Sequence, residues 1–183
     1  MPWEREILLS INRHSSPFLD HLFVLSHLMG TLPFCASVVV AVAGWHLRRH
    51  EQRPAALWVI LGLSTYFIQV SIKALVDRAR PELWDRLILT GSSSFPSGHA
   101  MAGATFYPLL AWSLSHFHPP LKRLWWTLGI GLGLYVGFGR LYLGVHWPSD
   151  VMAGWAIGAG QTMAGLAALA RRERGPDAVV HAD

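Results

Sequence analysis

Four stretches of this chain, residues 55–72, 99–117, 124–139 and 151–170, contain no Asp, Glu, Lys or Arg. A fifth, residues 31–47, reads TLPFCASVVVAVAGWHL and is equally free of them. Each approaches the roughly 20 apolar residues that a helix needs to cross the hydrocarbon core of a bilayer. That pattern leaves a chain of 183 residues few alternatives. We expect an all-α, polytopic transmembrane helical bundle with five full spans.

Residues 1–30 differ. Arg5, Arg13 and Asp20 interrupt the apolar positions, and Pro17 follows two serines. This reads as one or two short amphipathic helices at a membrane interface. A sixth span is the alternative, but Asp20 to Arg48 is too short for two crossings at about 1.5 Å per residue. The expected organisation is an interfacial segment over 1–30, a membrane domain over 31–174, and a disordered cytoplasmic tail over 175–183. The N-terminus lacks a basic region followed by a long apolar core, so no cleavable signal is expected.

Composition agrees. Charged residues make up 14% of the chain, against about 25% in soluble domains. Nine tryptophans and seventeen glycines suit interfacial anchoring and close helix packing. The net charge of +4 sits in short clusters between apolar runs, which argues against a nucleic-acid-binding face. One cysteine, Cys35, permits neither an internal disulfide nor a cysteine metal cluster.

The basic clusters orient the spans. Arg48, Arg49, Arg53, Lys122, Arg123, Arg171, Arg172 and Arg174 mark one set of span ends. Lys73, Arg78, Arg80, Arg86 and Arg140 mark the other. The positive-inside rule places the first set in the cytoplasm. The second set then faces outward.

Three motifs converge on that outer side. KALVDRARP holds Lys73, then Arg80 and Pro81. Positions seven apart share a helix face if the helix continues. PSGH spans residues 96–99, and GRLYLGVHWPSD holds Arg140, His146 and Asp150. Lys73, Arg80 and Arg140 would surround anionic oxygens, and the arginine fork suits phosphate. Ser97 reads as an N-cap that leaves the amides of Gly98 and His99 to bind an anion, with Gly98 allowing close approach. One helical turn separates His146 from Asp150. The carboxylate could then fix the tautomer and leave the other ring nitrogen nucleophilic. His99 would serve as a separate acid and base. One nucleophile, one acid/base and three cations describe phosphoryl transfer without a metal.

At these motifs the chain resembles the type 2 phosphatidic acid phosphatase family, which includes bacterial phosphatidylglycerophosphate and undecaprenyl diphosphate phosphatases. The family pattern is Lys-x6-Arg-Pro, Pro-Ser-Gly-His, then Ser-Arg-x5-His-x3-Asp, and the spacing agrees from Lys73 to Asp150. Gly139 stands where the family often has serine. The resemblance implies a helical bundle, a phosphohistidine intermediate on His146, and hydrolysis with no metal or cofactor. Vanadate-dependent haloperoxidases share the core, so fold alone does not decide the chemistry.

The expected substrate is a lipid mono- or diphosphate. Undecaprenyl diphosphate comes first, phosphatidylglycerophosphate and phosphatidic acid next. The expected location is the bacterial inner membrane, with the site facing the periplasm or exterior and no obligate protein partner. A non-catalytic lipid-phosphate binder or transporter is the rival from another class, but it has no need of both His99 and His146.

Other residues read as background. Arg78 and Arg86 are expected to be solvated or to rim the site. His14, His21, His27, His46, His50, His116, His118 and His181 are expected at interfaces or surfaces. Gly129, Gly131, Gly133 and Gly137 read as a packing face, not a nucleotide loop.

Overall fold

The computed structural model describes residues 1–91 and 93–173. The expected tail 175–183 lies outside the described residues. The elements are α1 Pro2–Asn12, α2 Pro17–Met29, α3 Leu32–Arg48, α4 Gln52–Val76, α5 Gly98–Phe117, α6 Lys122–Tyr142 and α7 Pro148–Glu173. A 3-10 turn, Pro119–Leu121, joins α5 to α6. Among the described residues there is no strand, so the all-α expectation holds.

Local chemistry explains the boundaries. Ser16 caps α2 by accepting from the Leu19 amide, with Pro17 in the first turn. Ser97 caps α5 by accepting from Ala100. α4 stops at Val76 because Asp77 turns into the left-handed region, at φ 39°. The helix therefore does not continue to Arg80. The condition under which Lys73 and Arg80 would share a helical face is therefore not met.

α5 runs through the centre of the bundle, packed mainly on α6 and α7. Close approach explains the glycines there. A Cβ on Gly133 would stand 2.8 Å from the Gly103 carbonyl oxygen, and one on Gly129 would stand 2.6 Å from that of Tyr107. Gly131 meets nothing within 4 Å and does not belong to the packing face. Trp58, fully buried, centres an apolar cluster with Leu61, Phe106 and Leu109. Deeper in the bundle the Gln161 carboxamide donates to Thr65 at 2.5 Å and to Thr105 at 2.7 Å, tying α7 to α4 and α5. Polar cross-links of this kind hold helices together where burial alone gives little driving force.

By length and apolarity one described helix, α4, suffices to cross a bilayer, and α2 with α3 passes jointly as a pair bent by 54°. The other long helices fall short of that combined test. Their sequences are rich in glycine, alanine, hydroxyl and aromatic residues, which serve helix packing at the expense of hydropathy. α4 also presents an exposed apolar face through Ile60, Leu63 and Phe67. α1 and α2 do not stand apart from the bundle: both lie on α6, and α1 also touches α7. Leu8, Glu4 and Ser26 are fully buried there.

Candidate active site

The C-terminal ends of α4 and α6 and the N-terminal ends of α5 and α7 meet at one end of the molecule. The segment between α4 and α5 folds over that end and is stitched to itself. The Arg78 amide donates to Ser93 Oγ at 2.9 Å, and the Ser94 amide donates to the Arg78 carbonyl at 2.8 Å. This loop, rather than a continued helix, carries Arg80 inward.

Arg80 donates to the Val145 carbonyl at 2.7 Å and to His146 Nε2 at 3.1 Å. A guanidinium only donates. Nε2 of His146 is therefore the lone-pair nitrogen, and the ring proton belongs on Nδ1. Burial pushes the His146 imidazole down to about 3; Arg140 and Arg80 act the same way, and Asp150 opposes them. The ring is thus neutral at ordinary pH, with its Nε2 lone pair turned to Arg80. It sits on a tight turn after α6 where Gly144 adopts φ 65° against the Trp84 ring, a conformation that favours glycine.

Asp150 is fully buried. Its Oδ2 accepts from Ser94 Oγ at 2.5 Å and from the Trp147 amide at 2.8 Å, and its Oδ1 accepts from Arg78 at 2.6 Å. The Trp147 contact closes the first turn of α7. His146 Nδ1 lies 3.6 Å from Asp150 Oδ2, and 3.5 Å from Ser94 Oγ. The one-turn spacing thus brings imidazole and carboxylate together, with the two groups 3.6 Å apart and the Ser94 hydroxyl sharing the same carboxylate oxygen.

Arg78 is no rim residue. It bridges Asp150 and the buried Glu4 of α1, at 2.6 and 2.7 Å. Glu4 in turn accepts from the Ser149 amide at 3.2 Å and hydroxyl at 2.6 Å. Burial alone would raise the Glu4 carboxyl, but hydrogen bonds from Ser149 and Arg78 outweigh it and hold it below the usual range. α1 therefore braces the start of α7, which carries Asp150.

Lys73 reaches the loop through its ammonium, 2.5 Å from the Ser93 carbonyl. Arg140 is buried and donates to His27 Nδ1 at 3.0 Å, while its Nε makes no hydrogen bond among the described residues. Ser97 is a cap, as expected. At Gly98 the structure adds a neighbour: a Cβ would overlap the Gln69 carboxamide oxygen and stand 2.5 Å from its Cδ. The glycine therefore makes room for Gln69 of α4, not only for an incoming anion. His27, expected at an interface, lies between His99 and Arg140 at 3.0 Å from each. His46 is likewise no surface residue but fully buried.

Lys73, Arg80, Gly98, His99, Arg140 and His146 line one cavity of about 670 Å³. Its far wall is apolar, formed by Val39, Val40, Val59, Leu63 and Tyr66 of α3 and α4. Cations and imidazoles at one end with an aliphatic groove at the other suit an amphiphile carrying a phosphate.

Residues 53–174 match the model of the PAP2 superfamily. The chain belongs to that superfamily. Phosphatidylglycerophosphatase B of Bacillus subtilis is 31% identical over 160 residues, which cover 86% of this chain and 71% of that protein. An undecaprenyl-diphosphatase of Sulfolobus acidocaldarius is 40% identical over 65 residues, 36% of this chain and 28% of that protein. The crystal structure of the transmembrane PAP2-type phosphatidylglycerolphosphate phosphatase from Bacillus subtilis superposes with a TM-score of 0.87 at 25% identity, covering 94% of this chain and 87% of that one. The chain is thus a hydrolase of the PAP2 type that acts on lipid phosphates, built on the fold of a membrane phosphatase.

The PAP2 assignment gives meaning to Gly139, where serine is usual. A Cβ there would stand 3.1 Å from Ser26 Cβ and overlap its hydroxyl. Ser26 of α2 fills that space and donates to the Phe23 carbonyl at 2.6 Å. Ser94 and Arg78 lie inside or beside the quoted motifs and could be sought there. Glu4 and His27 carry no local signal, since their partners lie 74 and 72 residues away.

Proposed function

We propose that this PAP2 phosphatase hydrolyses a lipid phosphate from the outer side of the bacterial inner membrane through a phosphohistidine on His146. The reading rests on one observation: the Nε2 lone pair of a neutral, buried His146 lines a cavity shared with Lys73, Arg80 and Arg140. His146 Nε2 bonds to phosphorus as the bond to the leaving oxygen breaks, and that oxygen takes a proton from His99. Water then attacks phosphorus, gives a proton to His99, and the P–N bond breaks with its electron pair returning to His146. Lys73, Arg80, Arg140, Ser97 and Gly98 hold the phosphate oxygens, so the charge is met by side chains and a helix start without a metal.

The substrate we favour is undecaprenyl diphosphate, because the site faces outward and the α3–α4 groove accepts a long apolar chain. Phosphatidylglycerophosphate is the second reading, favoured by the similarity to the Bacillus subtilis phosphatase over most of the chain. We assign five crossings to α3–α7. α1 and α2 form the interfacial region on the outer side, since Glu4 and His27 meet the site from that end.

The test is phosphate release from undecaprenyl diphosphate, phosphatidylglycerophosphate and phosphatidic acid, each with EDTA present. Preference for the diphosphate supports the first substrate, preference for phosphatidylglycerophosphate the second. Loss of all activity in EDTA would overturn the metal-free mechanism. For sidedness, a cysteine at Thr90 in intact cells should react with a membrane-impermeant thiol reagent, and one at Gln52 should not. The reverse pattern would overturn the orientation.

A further inference from the structure

We propose that His27 is a positioning residue for His99, fixing which nitrogen of that imidazole meets the substrate. The proposal rests on the reading of His99 as the acid and base. It concerns α2 and the α2–α3 elbow, which lie before the stretch that matches the family, residues 53–174.

Hydrogen-bond capacity decides the tautomers. Arg140 Nη1 lies 3.0 Å from His27 Nδ1. Because a guanidinium has no acceptor, His27 Nδ1 is the acceptor nitrogen. His99 Nε2 lies 3.0 Å from that same atom and 3.1 Å from the His27 carbonyl oxygen. Both neighbours accept, so His99 Nε2 carries a proton and shares it between them. The two rings are near parallel, at 15° with centroids 4.9 Å apart.

A second contact grips the same edge of His99. A Cβ on Gly30 would overlap His99 Cδ2 and stand 2.8 Å from Cγ. Gly30 is the residue where α2 ends before α3 departs at 54°. The elbow thus covers the Nε2–Cδ2 edge of the imidazole, with Gly30 leaving room for the ring. His99 lines the cavity together with His27 and Gly30, and with Nε2 engaged, Nδ1 is the ring nitrogen left to meet a substrate.

The consequence for the reaction is direct. With a phosphate dianion bound, His99 holds a proton on each nitrogen. As His146 Nε2 bonds to phosphorus, the bond to the lipid oxygen breaks and that oxygen takes the proton from His99 Nδ1. The Nε2 proton stays with His27. In the second step water attacks phosphorus, its proton returns to His99 Nδ1, and the pair of the P–N bond returns to His146. His27 keeps its own protons throughout. Phosphate oxygens also draw the donors of Arg140, which leaves the His27 Nδ1 lone pair to His99 alone.

The experiment compares two polar replacements in the full chain. Asparagine places its carboxamide oxygen near the position of Nδ1; glutamine places its own near Nε2. The rate of the first step alone, read as single-turnover release of the leaving group, is measured on phosphatidic acid, whose lipid alcohol needs a proton to leave, and on p-nitrophenyl phosphate, whose phenolate does not. His99→Ala and the double variant His27→Gln/His99→Ala complete the set. We expect His27→Gln to lower the first-step rate on phosphatidic acid about tenfold, with substrate binding held and the p-nitrophenyl first-step rate within about twofold. His27→Asn should recover most of the loss, and the double variant should be no slower than His99→Ala alone. Equal losses on both substrates in His27→Gln, no rescue by asparagine, or additive losses in the double variant would overturn the role of His27. If His99→Ala itself slows both substrates equally, the acid/base reading fails and takes this proposal with it. A selective loss in His99→Ala without one in His27→Gln sinks this proposal alone.

Discussion

Two histidine–carboxylate constellations stand at opposite ends of α4, and their hydrogen bonding alone does not tell them apart. At one end His146 lies 3.6 Å from Asp150, and Ser94 flanks the pair, donating to the carboxylate. At the other, His46 Nδ1 lies 2.6 Å from Glu51, and its Nε2 lies 3.0 Å from Ser113 Oγ. The second has the tighter serine–histidine–acid geometry. Trp58 donates to the same Ser113 hydroxyl at 3.1 Å. The chain runs Trp58 to Ser113 to His46 to Glu51, with each hydrogen assigned by what its partner can accept. None of His46, Glu51 and Ser113 lines the large cavity, whereas His146 does. Among the described residues no cation donates to the His46 ring, whereas the part-buried Arg80 donates to His146. A triad geometry becomes a site only where a reactant can reach it and where charges await the reaction. This network, buried at His46 and Ser113 and open to solvent at Glu51, instead ties the α3–α4 turn to α5.

This contrast can be broken experimentally. The largest effect is expected from His146→Ala, which should lower turnover by about 10⁴-fold or more while lipid phosphate still binds. Turnover above a few per cent of wild type would show that the nucleophile lies elsewhere. Asp150→Asn should cost less, roughly 10²–10³-fold, because the imidazole remains but its proton is poorly placed; the ratio of the two kcat values is the measurement. At the other end, His46→Ala should leave kcat within about twofold yet destabilise the protein by about 1–3 kcal/mol, since Ser113 and Glu51 lose a buried partner. A thermal melt in detergent beside an activity assay separates the outcomes. Loss of kcat with an unchanged melt would make the His46 network part of the chemistry.

The last test concerns acid. Burial holds the folded His146 at about 3, against about 6.5 in an unfolded chain. Between those values the unfolded state binds the extra proton, so the folded state loses stability as pH falls. His146→Ala should therefore melt with a shallower dependence on pH between about 6.5 and 3 than wild type. The two curves should run parallel above that window. A parallel course through the window as well would mean that His146 is protonated in the native state.

The legible parts of this molecule were those written over short distances. The uncharged runs predicted α3–α7 to within a few residues, because helix formation follows local sequence. The three motifs named Lys73, Arg80, Arg140, Ser97, Gly98, His99, His146 and Asp150, and Lys73, Arg80, Gly98, His99, Arg140 and His146 meet in one cavity. One local condition was not met. Arg80 would share a helix face with Lys73 only if the helix continued, but Asp77 ends it and the loop, stitched by Ser93 and Ser94, brings Arg80 in by another route. The span count, too, does not follow from hydropathy alone, because packing helices give up apolar bulk for small and hydroxyl residues.

By itself the sequence determined the helices, the position of the charges at their ends, and the spacing that pairs His146 with Asp150, since all three depend on neighbours a few residues apart. Only the tertiary structure decided which histidines count. His27 and His46 look alike in the chain, each in an apolar run with no carboxylate one turn away. Packing carried one to the side of His99 and sealed the other behind Trp58. It also set Glu4 and Arg78 behind Asp150. The physical reason is that a hydrogen bond acts over about 3 Å of space. Which groups come within that reach is set by how whole helices pack, a property that no short window of sequence contains.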